Sequence, residues 1–143
     1  MIRPFVPGDM PALLALWLDS TTRAHPFIRA GYWLESLPLV RDDYLPLARS
    51  WVAERDGVIT GFISVMMEQF VGAVFVALRY HRQGIGQALM TRVKQRYPVL
   101  TLEVYQLNRA ACHFYYRQDF REIGKAFNAE TGHMLLTLQW RAG

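Results

Sequence analysis

The chain has 143 residues, which suits one domain with one core, and its 52% hydrophobic content excludes a disordered, highly charged polymer. Its apolar runs end well before the roughly 18 residues that a membrane span needs, and the N-terminus passes directly into a polar Pro7-Gly8-Asp9 turn, so no signal peptide and no membrane partner are expected. The net charge of +4 points to an anionic ligand without naming it, and the single cysteine, Cys112, excludes an internal disulfide and suits a reducing cytoplasm.

Met1 to Val6 reads as a first strand, stopped by Pro7-Gly8. Asp9 is expected to cap the helix that follows with its side chain. Met10, Leu13, Leu14, Trp17 and Leu18 then recur at the spacing of one helix face, and a weaker helical stretch covers residues 30–45. From Trp51 the period changes to that of strands. Asp56-Gly57 between Trp51–Arg55 and Val58–Met67 is a two-residue hairpin signal, because both residues tolerate positive φ. A turn at Glu68-Gln69 leads into a third strand, Phe70 to Val76, completing an antiparallel meander. After the loop 77–83, a helix from Gly84 to about Tyr97 carries an apolar stripe of Ile85, Ala88, Leu89 and Val93, and Pro98 stops it. Leu100 to Tyr105 is a strand with Leu102 and Val104 on one face and Thr101, Glu103 and Tyr105 on the other. Asn108 is placed to cap a helix running to Gln118, and Phe120–Phe127 with His133–Arg141 form a last hairpin. The order β-α-α-β-β-β-α-β-α-β-β is that of an α/β (α+β) domain over residues 1–143, with a central, mixed but mostly antiparallel sheet and about four helices.

Gly84 and Gly86 stand between a strand and a helix, where free N–H groups and the positive helix end attract an anion. Two glycines at this spacing are also compatible with a helix entry that binds nothing. A dinucleotide fingerprint needs a third glycine where the chain has Leu89, and a phosphate-binding P-loop needs a Gly-Lys-Ser/Thr triplet that the chain lacks. Neither NAD nor ATP is favoured.

With its downstream partner, the loop is more informative. Phe75-Val76, the loop Gly84-Ile85-Gly86, the strand Leu102-Glu103-Val104-Tyr105 and the helix Asn108-x-x-Ala111-x-x-Phe114-Tyr115 together resemble the GNAT superfamily of N-acetyltransferases. The likeness extends over essentially the whole chain, and the stretches Leu16-Trp17, Ser20-Thr21-Thr22 and His25-Pro26-Phe27-Ile28 resemble small bacterial members. Three positions depart from the family pattern. His81 stands where Gln or Arg is usual, Asp119 replaces a glycine after the Tyr helix, so that this helix is expected to end differently, and Phe70 stands about where histone-type enzymes carry a glutamate base.

The resemblance implies acetyl-CoA as co-substrate, no metal, and transfer of acetyl to a primary amine by direct attack in a ternary complex. The acceptor it implies is a protein lysine or N-terminus, with a small metabolite amine as the alternative. It assigns cofactor contacts to Phe75, Val76, Arg82, Gln83, Gly84, Ile85, Gly86, Gln87, Ala88 and Asn108. Tyr115 is the expected general acid, because Asn108, Ala111 and Tyr115 share one helix face. Glu103 and Glu68 are the candidate bases, acting through water, while His25, Phe27, Phe70 and Tyr105 are expected to shape the acceptor slot. Against each role stands a plainer one: a core aromatic for Tyr115 and Phe70, a solvated carboxylate for the glutamates, a structural histidine for His25. Cys112 has no histidine partner implied, and His113 and His133 lack ligand spacing. Two other classes compete, a non-catalytic acyl-CoA-binding module and a nucleic-acid-binding domain. The scattered Lys and Arg residues disfavour the second. A monomer and a homodimer are equally compatible with the sequence.

Overall fold

A computed structural model describes residues 1–143. The chain runs β1 (Ile2–Pro4), α1 (Met10–Ala24), α2 (Ala30–Leu39), β2 (Arg49–Arg55), β3 (Val58–Met66), β4 (Phe70–Val76), α3 (Ile85–Arg96), β5 (Val99–Tyr105), α4 (Arg109–Arg117), β6 (Arg121–Asn128) and β7 (His133–Arg141). Seven strands form one sheet in the order β1-β2-β3-β4-β5-β7-β6. Only the β4–β5 pair is parallel, and it is registered at a single position, Phe70 opposite Thr101. Beyond that point the two strands part and leave a gap in the middle of the sheet.

The strands bury opposite faces against different helices. Val52 and Phe62 pack with Leu13, Trp17, Val40 and Leu45 beneath α1 and α2. Ile63, Val65, Val71, Leu100, Leu102 and Val104 pack with Leu89, Met90, Val93 and Cys112 beneath α3 and α4. In β4, Val65 faces Val71 and Ser64 faces Ala73, so Gly72 is an unpaired bulge that bends the strand where it leaves β5. Gly61 of β3 is needed for close packing: a Cβ there would lie 2.8 Å from the Phe75 carbonyl oxygen and 3.3 Å from Ile85 and Leu89.

Local signals in the sequence account for most element ends. Asp56 (φ 51°) and Gly57 (φ 78°) form the expected left-handed hairpin turn. The β3–β4 turn is a residue longer than expected, with Met67 and Glu68 both at positive φ. Asn108 caps α4 as expected, its Oδ1 accepting from the Ala111 N–H at 3.3 Å.

Four expectations are corrected. Asp9 does not cap α1 with its side chain; its carboxylate instead accepts from the Val6 N–H and from Arg3. The Arg3 guanidinium holds its pKa below the ordinary value. The stretch 30–45 is not one regular helix, because Pro38 and Pro46 remove donors and the backbone widens into a π turn at Val40–Tyr44. The buried stripe of α3 uses Met90 with Leu89 and Val93, and Ala88 is exposed. Finally, α4 ends as a glycine would end it. Asp119 adopts φ 67°, Phe120 N–H donates to the Tyr115 carbonyl and Asp119 N–H to the Tyr116 carbonyl. The Phe120 ring closes on Tyr115 at 5.7 Å, and these contacts offset the cost of the left-handed Cβ.

Candidate active site

The gap between β4 and β5 widens into one cleft that crosses the sheet, lined by both helical layers. On the α3–α4 side it is lined by Arg82, Gly84, Ile85, Gly86 and Gln87, and by Asn108, Ala111, Phe114 and Tyr115. On the α1–α2 side it is lined by His25, Tyr32, Trp33, Glu103, Tyr105 and Glu130. Gly72 to Val76 of β4 run along its wall.

The first of these sides is built for an anion. Gly84 sits at φ 78° as the residue before α3, with open space where a Cβ would project and no side chain capping the helix. Arg82 also takes a left-handed φ of 63°, a strain on the order of 1 kcal/mol that turns successive backbone groups toward one concavity. Gly86 has a different reason to be glycine, since a Cβ there would press on the Phe114 ring at 3.3 Å. His81 Nε2 donates to the Val76 carbonyl at 2.8 Å, bracing the loop from within. Arg109, His113 and Arg117 stand at i, i+4 and i+8 on α4, exposed on one face along the cleft. None of these arginines is in a salt bridge. That spacing was readable in the sequence, and only the scatter of basic residues elsewhere hid it. A first helical turn without a cap and unpaired guanidiniums fit a polyphosphorylated cofactor.

The opposite side is aromatic and acidic. His25 is buried, with its ring 5.0 Å from Trp33, 5.3 Å from Tyr105 and 5.7 Å from Phe27. His25 Nδ1 donates to the Thr21 carbonyl at 2.6 Å, leaving Nε2 to accept from Asn108 Nδ2 at a long 3.5 Å. Burial pushes its pKa below the ordinary 6.5, so the ring is neutral at pH 7. Asn108 is therefore held from both ends, by His25 and by the first turn of α4. His133 Nε2 donates to the Phe27 carbonyl at 3.1 Å and packs its ring 4.9 Å from that of Phe27.

Tyr115 lies between the two ends. Its ring is wedged between Phe114 at 5.4 Å and Phe120 at 5.7 Å, and its hydroxyl makes no hydrogen bond within the protein. Burial, with a smaller contribution from Cys112, raises its pKa well above the ordinary phenol value, so it stays protonated.

Most of the expected site residues meet here, and four do not. Phe70, Phe75, Val76, Arg82, Gly84, Ile85, Gly86, Gln87, Glu103, Tyr105, Asn108, Tyr115 and His25 all line the cleft. Gln83 turns away, its Oε1 accepting from Arg55 at 2.9 Å. Ala88 borders a separate shallow surface with Thr91 and Arg92. Phe27 lies one layer back, reaching the cleft only through His25 and Tyr105. Glu68 sits on the exposed β3–β4 turn, outside the lining. Tyr32, Trp33 and Glu130 line the cleft without having been singled out in the sequence, since they come from a weak helix and a hairpin tip that no motif marks.

The family model for the GNAT acetyltransferase domain matches residues 46–122, from the start of β2 through α4 into β6. The chain belongs to the GNAT acetyltransferase family. It is an acetyl-CoA-dependent N-acetyltransferase, and among its relatives is peptidyl-lysine N-acetyltransferase YiaC of Escherichia coli K12. The two are 49% identical over 140 residues, covering 98% of this chain and 96% of YiaC. Peptidyl-lysine N-acetyltransferase YjaB of the same organism is 34% identical over 80% of this chain and 77% of its own length. The solution structure of apo YjaB superposes with a TM-score of 0.84, covering 100% of this chain and 98% of that one at 28% identity.

Proposed function

We propose that this GNAT enzyme moves the acetyl group of acetyl-CoA to the side-chain amine of lysine in a polypeptide. The observation that carries the reading is the division of the cleft. Unpaired arginines and the uncapped α3 terminus stand at one end, Glu103, Glu130 and the aromatic rings at the other, and a protonated Tyr115 between them. A polyphosphate and a cationic side chain are thereby drawn to opposite mouths. The 49% identity to a peptidyl-lysine acetyltransferase supports the same acceptor.

Acetyl-CoA supplies the acetyl group as a thioester. The residues assigned to hold it are Arg82 and the N–H groups of Gly84 to Gln87, with Arg109 and Arg117 adding charge. The free edge of β4 along Phe75 and Val76 offers backbone groups to the rest of the cofactor, and an N–H of that edge polarises the reacting carbonyl. Tyr115 Oη holds the proton that passes to the departing sulfur. Glu103, on the face of β5 toward the acceptor, takes the amine proton through water. Phe70, at the point where β4 and β5 part, closes the floor of the slot. His25 touches no reacting atom in this scheme. It is a positioning residue that fixes Asn108 and so the start of the helix carrying Tyr115.

The test is turnover on three peptides that offer only a lysine side chain, only a free N-terminus, or neither, followed by mass spectrometry with acetyl-CoA. Acetylation confined to the lysine peptide is expected. Acetylation of the N-terminus alone, or cofactor binding without turnover on any amine, overturns the assignment.

A further inference from the structure

Glu130 is the acidic residue of the cleft to which the chemistry above gives no proton to carry. It stands on the β6–β7 turn, where Asn128 Oδ1 accepts from its N–H at 2.9 Å and from Thr131 N–H at 3.3 Å, so its backbone is set by a built turn. It forms no ion pair, and the one arginine on this side of the cleft, Arg23, is held by Asp19 at 2.8 Å. Tyr32 of α2 and Tyr105 of β5 line the same end of the cleft. Burial raises both phenol pKa values, and the Glu130 charge adds to the rise in each. Trp33 packs its ring 5.0 Å from that of Tyr32. An unpaired carboxylate backed by aromatic faces suits an alkylammonium or guanidinium group.

This cation is distinct from the reacting amine. The attacking nitrogen must give up its proton toward Glu103, and a second carboxylate paired directly with it would oppose that loss. Glu130 is exposed at the mouth on the α1–α2 side, whereas Tyr115 is carried by α4 on the other face of the sheet. Resting on the lysine reading above, we propose that Glu130, walled by Tyr32 and Tyr105, is a specificity subsite for a lysine or arginine side chain that neighbours the acetylated lysine in the acceptor polypeptide.

The experiment compares the full-length enzyme with Glu130→Gln and Glu130→Lys on peptides that differ only in having Arg, Ala or Glu beside one acceptor lysine, on either side. The native enzyme is expected to favour the Arg peptide over the Ala peptide through KM by roughly fivefold. In Glu130→Gln that ratio falls to about one, and in Glu130→Lys the Glu peptide becomes the preferred substrate. A native enzyme without the preference, or a preference that survives in Glu130→Gln, overturns the proposal while leaving lysine acetylation intact. No turnover on any lysine peptide, with acetyl-CoA still bound, overturns the lysine reading and this subsite with it.

Discussion

The two mouths of the cleft are made from different materials. At the arginine end, the principal groups are backbone: the positive φ of Arg82 and Gly84, the uncapped start of α3, and the free edge of β4. At the aromatic end they are side chains from distant parts of the chain, with Phe27, Trp33 and Tyr105 brought together around His25. A site made of backbone recognises a constant ligand, because substitution hardly alters it. A site made of side chains can be retuned residue by residue. The contrast matches a fixed co-substrate and an acceptor that differs among acetyltransferases.

The largest expected effect belongs to neither end but to Tyr115 between them. Tyr115→Phe keeps the ring packing on Phe114 and Phe120 and removes only the proton, so kcat should fall by about 10²–10⁴ with KM little moved. Steady-state rates check this, and unchanged kcat would return Tyr115 to a packing role. Next comes a purely structural test of the arginine end. Gly61→Ala forces a Cβ against the Phe75 carbonyl and the foot of α3, so stability should drop by about 1–3 kcal/mol. Thermal unfolding reads the loss directly.

A smaller change is expected when Arg109 and Arg117 are both replaced by Ala. The KM for acetyl-CoA should rise roughly fivefold at low salt and much less at high salt, because exposed charges are screened. An effect independent of salt would mean that the stripe on α4 acts through something other than phosphate. The smallest effect separates the aromatic end by its pH response. His25 is neutral when folded, and its folded pKa lies below the unfolded 6.5. The unfolded chain therefore binds more protons between those two values, and stability falls as pH drops from 6.5 toward the folded pKa, by less than about 1.4 kcal/mol per pH unit. Unfolding midpoints at several pH values, compared with a His25→Gln variant, should show this slope only in the native protein.

Sequence reading fared unequally at the two ends for the same reason. The hairpin at Asp56-Gly57, the Asn108 cap and the Gly84 turn are local, each dictated by residues within four of one another. The local structure at the arginine end was therefore legible. Ala88 falls outside the cleft because packing of Leu89, Met90 and Val93 sets the rotation of α3, and Gln83 because it is bonded by Arg55, neither of which a loop motif encodes. Asp119 misled because a local rule about Cβ strain was outweighed by two hydrogen bonds and the Phe120–Tyr115 contact. Tyr32, Trp33 and Glu130 join Tyr105 only after chain segments about a hundred residues apart have docked, so these three looked ordinary in isolation.

The parting of β4 from β5 carries a cost of its own. Two strands that meet at Phe70 and Thr101 alone forgo the remaining rungs of their ladder, and the bulge at Gly72 keeps them from closing. A variant that removed the bulge and zipped these strands together would hold more hydrogen bonds and a continuous sheet. It would also have lost the cleft in which we propose that the two substrates meet. The sturdiest form of this sheet is thus an inert one, and selection for heat tolerance alone would be expected to drift toward it.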